Sequence, residues 1–314
     1  MIKKLTIILI TIFTSISLYA KPQQDKLTVI LDWTPNTTHA PIIIAQQQGY
    51  FKEQGLDVRL IHPEHAFDPS KLVAENKADI GLTYEPWLIE HVDQGLPIIR
   101  IGTLIDKPLN CVVALRRSGI KSLNDLKGKE IGSSSNSLTN IILRSMLEKQ
   151  GIENKDIKVV NIGSHLAQAL LSKKVDAISG TLRNLEVPSL EAEGHKLVVF
   201  FPEEHGIPNY SELVFITNTA HVKDPRFPRF LFAIKKAVRY LDEHPQQAWA
   251  QFTKQYPHLN NTLNREYWFA TMPYYAEDPA AMNNEEWQHF TDFMRQNKLI
   301  SKAKPVSQYA INVG

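Results

Sequence analysis

Short apolar runs alternate with helical patterns through the first two thirds of this chain, and that alternation leaves few folds open to it. Val58 to Ile61, Ile80 to Thr83 and Ile98 to Leu104 read as buried strands, with helices near Pro69–Asn76 and Glu85–Gln94 between them. Such a pattern predicts a mostly parallel sheet with helices on both faces. A second series starts at Cys111 and continues through Glu130–Gly132, a helix from about Ser137 to Gln150, Ile157–Asn161, a helix over Ser164–Ser172, and Ala177–Gly180. Leu72–Thr83 (LVAENKADIGLT) is matched in kind by Leu170–Thr181 (LLSKKVDAISGT), each giving helix, lysine-bearing turn, aspartate and short strand. Asp79 and Asp176 occupy the same place ahead of their strands, which predicts a turn or cap role. The fold class is therefore α/β, with two lobes of one design, each a mixed sheet flanked by helices.

Residues 1–20 carry Lys3 and Lys4, an apolar stretch from Leu5 to Leu18 and a Leu-Tyr-Ala close at Ala20, the pattern of a cleaved secretory signal peptide. An uncleaved anchor is the alternative, but the stretch is short for a membrane span and interrupted by Thr and Ser. No cysteine follows it to accept a lipid, so a soluble, monomeric periplasmic protein is expected. Cleavage lowers the formal charge from +2 to zero, which argues against nucleic acid as a partner. Cys111, the single cysteine, reads as a small buried hydrophobe. The roughly 294 residues that remain exceed what one core usually holds. Residues 21–107 are expected to open lobe 1, 108–212 to form lobe 2, and 213–314 to return to lobe 1. Crossings fall near Lys107–Asn110 and Tyr210–Val214. The helical stretches Pro225–Glu243, Pro245–Tyr256 and Asn284–Asn297 should complete lobe 1, with Trp249, Trp268 and Trp287 as packing residues.

Ligands in α/β proteins sit where strands give way to helices, and four such loops hold polar groups. Asp32, Trp33, Asn36 and His39 lie between a strand ending at Leu31 and a helix starting near Ile42. They offer either a flat aromatic face with amide and imidazole partners for a planar polar molecule, or a tight turn with Trp33 in the core. Gly132, Ser133, Ser134, Ser135 and Ser137 flank the start of the second lobe's first helix, either as a cradle for an anion or carbonyl oxygen or as a plain N-cap. Tyr84 and Glu85 follow one strand, and Arg183 and Glu186 its counterpart. Glu85 and Glu186 could accept from an exocyclic amine, or could merely favour a helix dipole. His62 and His65 are separated by Pro63, which denies them one helix face, and no metal site is expected. No phosphate loop, nucleophile elbow or Cys-His pattern marks an active site.

The stretch Asp32-Trp33-Thr34-Pro35-Asn36, with His39 and then Gly49-Tyr50-Phe51, resembles the opening of the family that includes bacterial formylaminopyrimidine-binding transport proteins and fungal hydroxymethylpyrimidine synthases. Arg183-Asn184-Leu185-Glu186, Glu193-Gly194-His195 and Pro202 to Phe215 resemble a later stretch of the same family, and Lys121 to Gly132 is similar to the second-lobe opening of type II periplasmic binding proteins. The resemblance covers most of the mature chain and weakens after about residue 257. It implies a non-enzymatic receptor without a cofactor, closing on an aminopyrimidine thiamine precursor and docking on an ABC permease and, through it, ATPase subunits. Ligand contacts would come from Trp33, Asn36 and His39, the serine loop, and Glu186 with Tyr84 or Glu85 beside it. The rival is the fungal-type synthase, which the resemblance describes as needing a cysteine-rich motif that this chain lacks. A third possibility is a receptor for a sulfonate or nitrate, for which Arg183 is the evident cation.

Overall fold

The computed structural model describes residues 24–62, 69–134, 137–163, 165–302 and 304–313. The expected signal peptide, His65, Ser135 and the Ser137 side chain lie outside the described residues. The strands are β1 (Asp25–Ile30), β2 (Leu56–Ile61), β3 (Ile80–Thr83), β4 (Ile98–Ile105), β5 (Asn110–Leu115), β6 (Glu130–Ser133), β7 (Lys158–Asn161), β8 (Ala177–Leu182), β9 (Leu197–Phe200) and β10 (Leu213–Asn218). The helices are α1 (Ala40–Gln47), α2 (Tyr50–Glu53), α3 (Pro69–Ala74), α4 (Glu85–Asp93), α5 (Ser137–Glu148), α6 (Leu166–Leu171), α7 (Glu186–Ala192), α8 (Arg226–Glu243), α9 (Pro245–Gln255), α10 (Thr262–Thr271) and α11 (Asn284–Gln296).

Two five-stranded sheets result, ordered β2-β1-β3-β10-β4 and β7-β6-β8-β5-β9. In each, three strands run parallel and a fourth runs antiparallel to both of its neighbours. That fourth strand, β10 or β5, is the one that follows a crossing between the sheets. The sequence echo thus has a structural counterpart, since β3 and β8 hold the same place in the two orders. Asp79 Oδ2 accepts from the Thr28 N–H at 2.8 Å, and Asp176 Oδ2 from the Glu130 N–H at 3.0 Å. Each aspartate lies just ahead of its own strand and ties it to the neighbouring parallel strand, Asp79 within β1 and Asp176 at the first residue of β6, a more specific task than capping a turn.

Burial follows the sequence periods. Every residue of β4 is buried, Arg100 and Thr103 included, as a largely apolar strand covered on both faces requires. On α8 the stripe Phe230, Ala233, Ile234, Ala237, Val238 and Leu241 recurs at three and four residues and is buried throughout. It packs so closely on β4 that a Cβ at Gly102 would lie 2.4 Å from a Leu231 methyl. Trp249, Trp268 and Trp287 are core residues, as their patterns predict, and Cys111 is buried with its thiol pushed up to about 12 by desolvation.

One helix departs from expectation. α11 was expected behind lobe 1, yet it packs on both halves: Phe290 stacks near Tyr210 at 4.7 Å, and Asn297 Oδ1 accepts from Ser145 of α5. Its Trp287, Phe290, Phe293 and Met294 share one apolar cluster with Val214 of the first sheet and with Ile131 and Leu143 of the second half. Apolar spacing shows which face of a helix is buried but not how many neighbours bury it.

Candidate functional site

The loop after β1 is braced from within. Asn36 caps a single 3-10 turn, Thr37–His39, its Oδ1 accepting from the Thr38 N–H at 2.8 Å and the Thr38 hydroxyl at 2.6 Å. The Asn36 N–H donates to His39 Nδ1 at 3.3 Å, so His39 turns its Nε2–H toward Asp32 Oδ1 at 2.9 Å. Asp32 Oδ2 in turn accepts from the Tyr84 hydroxyl at 2.8 Å. Burial pushes the Asp32 carboxyl up, but the His39 and Tyr84 hydrogen bonds outweigh it and hold the group below the ordinary aspartate range. The His39–Asp32–Tyr84 chain therefore holds the Tyr84 ring in place ahead of α4. Of the expected contacts in this loop, His39 is wholly buried and spends its ring nitrogens inside the loop, whereas the half-buried Asn36 caps the turn and also lines a cavity beside Trp33.

Trp33 is not core. It is 55% exposed and lines a cavity of about 670 Å³ with Leu185, Tyr256, Leu259 and Tyr267, walls drawn from both halves. A more compact cavity of about 200 Å³ lies on the other side of the β8–α7 turn, where Tyr84 and Trp87 of lobe 1 face Asn110, Thr139 and Leu182 of lobe 2 across Tyr210 and Glu212 of the second crossing. The Tyr84 and Trp87 rings meet edge to face at 4.6 Å, forming an angled aromatic wall. Both hollows open at the ends of strands, where an α/β protein holds its ligand.

Several expected contacts sit elsewhere. Glu85 opens α4 but points inward: it is 1% exposed, with Oε2 accepting from the Ser211 N–H at 2.6 Å. Desolvation pushes its carboxyl up to about 8. Arg183 is no free cation. Its guanidinium grips Glu203 through both oxygens, at 2.6 and 2.9 Å, and lies over the Phe201 ring at 4.1 Å. Burial alone would pull it down, yet Glu203 raises it. Such a neutralised pair leaves little field for a sulfonate. Glu186 begins α7, half-buried, with Oε2 accepting from the Leu182 N–H at 2.7 Å; burial pushes it up against that bond.

The serine loop is only partly a cradle. Gly132 is packed against Ile162, Val175 and Ile178, and the buried Ser133 hydroxyl donates to Asn140 Oδ1 at 2.7 Å. Ser134 faces Gly180 of β8, a residue at φ +89° where a Cβ would collide with Thr139 at 2.8 Å. Glycine there lets α5 bring Thr139 to the compact cavity. Between the halves, the buried Asn184 Nδ2 donates to Thr271 Oγ1 at 3.0 Å.

Sequence reasoning missed Trp87, Asn110, Thr139, Tyr210 and Glu212. Four of the five lie on or beside a crossing or a strand-to-helix loop already singled out, so closer attention to the polar residues of those segments could have found them.

The chain is 40% identical over 291 residues to a Haemophilus influenzae protein named for thiamine biosynthesis, covering 92% of this chain and 93% of that one. It is 33% identical over 226 residues to the formylaminopyrimidine-binding protein of Halalkalibacterium halodurans, covering 71% and 68%. More distant relatives include yeast proteins named as hydroxymethylpyrimidine phosphate synthases. The fold matches the periplasmic aliphatic sulphonate binding protein of Escherichia coli with a TM-score of 0.73 at 15% identity, over 90% of this chain and 91% of that one. A family model described as NMT1/THI5 like matches residues 36–248. On these matches the chain belongs to the NMT1/THI5-like family and carries the fold of periplasmic binding proteins.

Proposed function

We propose that this chain is the solute-binding component of an ABC importer for an aminopyrimidine thiamine precursor or degradation product, with formylaminopyrimidine first and hydroxymethylpyrimidine second. The observation that carries this reading is the compact cavity, walled by the Tyr84 and Trp87 rings on one side and by lobe 2 on the other, with polar groups at its floor. A planar heterocycle suits such walls, because ring faces stack while edge donors and acceptors meet side chains. The name of the Halalkalibacterium relative supports the same ligand class. On this reading residues 1–20 direct export and are removed, and residues 21–107 with 213–314 close on 108–212 in the periplasm. The closed form then docks on the permease.

A synthase reading has the names of the yeast relatives on its side. Against it stands the single cysteine, buried and with a thiol pushed up to about 12. Chemistry through that sulfur would need it ionised and accessible.

Titrating the mature protein with both pyrimidines while following tryptophan fluorescence tests the proposal. Saturation is expected, with no competition from taurine or nitrate. Tyr84→Ala and Trp87→Ala, which each remove one ring of the compact cavity's wall, should each weaken binding about 5- to 100-fold, the range for loss of an aromatic stacking partner. Saturation by taurine alone would replace this function with sulfonate capture, and equal affinity in both variants would move the site elsewhere.

A further inference from the structure

Glu212 immediately precedes β10, on the second crossing between the sheets, and it is 5% exposed. It is the one carboxylate lining the compact cavity among the described residues. Its Oε2 accepts from the Leu109 N–H of the first crossing at 2.8 Å. Among the described residues no hydrogen bond uses Oε1. Next to it, the Tyr210 hydroxyl is buried beside Asn110 and has no well-formed hydrogen bond of its own. The buried Tyr210 hydroxyl is costly to leave unpaired, and the Glu212 carboxylate beside it lines the cavity with one oxygen uncommitted. A cavity of ring size beside them supplies the missing partner.

Resting on the binding function above, we propose that Glu212 is the specificity-determining residue of the compact cavity, taking the exocyclic amine of a stacked amino-heterocycle on its free oxygen. Tyr210 and Asn110 then serve the adjoining ring nitrogen. The amine donates and the carboxylate accepts, so a 4-oxo ring, which presents an acceptor at that place, meets repulsion instead of a bond. Because Glu212 is also tied to Leu109, ligand capture and the geometry of both crossings meet at one side chain.

The charged neighbours set the protonation. Desolvation pushes the Glu212 carboxyl up to about 7, opposed by the Leu109 N–H and the Arg183 guanidinium and assisted by Asp32. Tyr84 and Tyr210, the other titratable groups beside it, have pKa values well above their usual range and stay neutral. An amine that donates to the carboxylate favours its ionised form, so binding near pH 7 must release protons from Glu212.

The test compares 4-amino-2,5-dimethylpyrimidine with its 4-oxo counterpart by calorimetry, on wild type and Glu212→Gln. Gln keeps an acceptor for Leu109, so folding is preserved, while its amide can turn an N–H toward a carbonyl. Wild type should prefer the amino compound at least tenfold, and the variant should lose that preference through weaker amine binding. Proton release at pH 7, measured in two buffers of different ionisation heat, should accompany the amine in wild type and vanish in the variant. If the variant does not fold, the wild-type proton count decides. An unchanged amino-to-oxo ratio in the variant, or no proton release in wild type, overturns the inference and leaves the receptor function standing. Wild type that binds neither compound overturns both.

Discussion

Replacing Arg100 with methionine should destabilise the protein by about 4 kcal/mol, because it strands several buried carbonyls at once. Arg100 sits in the middle of β4 with no measurable exposure, and its guanidinium meets backbone oxygens in place of a carboxylate. It donates to Ala281 O at 2.5 Å, Ile311 O at 2.9 Å and Pro279 O at 3.4 Å, and to the Thr103 hydroxyl at 2.9 Å. Burial lowers it to about 10, and the nearby Glu85 offsets part of that cost. The Arg100 backbone adds two further ties, its N–H donating to Tyr309 O and its carbonyl accepting from the Ile311 N–H. Methionine fills the volume but satisfies none of these oxygens, so the urea midpoint should drop and the segment around residues 304–313 should become open to protease. Lysine should fare only partly better, since a single ammonium cannot reproduce the planar fork. A midpoint within experimental error of wild type would mean that water replaces the guanidinium at no cost.

The second large effect is a pH dependence. Glu85 has a folded pKa raised to about 8 by desolvation, against the usual glutamate value near 4.3 in the unfolded chain. A raised acid holds its proton more tightly when folded. Its contribution is therefore fully present below the unfolded value and is lost as pH rises through the folded one. Glu212, raised to about 7, adds to the same decline. Wild-type stability should fall between pH 5 and pH 8.5. Glu85→Gln keeps the acceptor for the Ser211 N–H and has no charge to form. It should match wild type within about 1 kcal/mol at pH 5 and exceed it by on the order of 2–4 kcal/mol at pH 8.5. Urea unfolding at the two pH values checks this; parallel losses in both proteins would show that Glu85 ionises in the fold without strain.

Architecture was far more legible in the residue order than the ligand cleft was. Strands and helices mostly declare themselves through periods of 2 and 3.6, and the echo of Leu72–Thr83 in Leu170–Thr181 announced two halves of one design, while the strand order, β9 and α10 went unread. Orientation at a helix start has no such signature. Glu85 and Glu186 are both first-turn acids, yet one is folded into the interior and the other is half-buried over the β8–α7 turn. Glu212 escaped notice because its partner Leu109 lies 103 positions away and only the crossing of the chain brings them together. Arg183 looked free for the converse reason: Glu203, twenty residues on, reaches it only after β9 turns back.

Asn184 and Thr271 join the two halves through a bond that water can replace. Opening that contact alone exchanges one amide–hydroxyl bond for two hydrated groups, a trade worth only about 0.5–1.5 kcal/mol. That single contact therefore adds little to the cohesion of the two halves, and the greasy seam that α11 lays across both of them is what keeps them together.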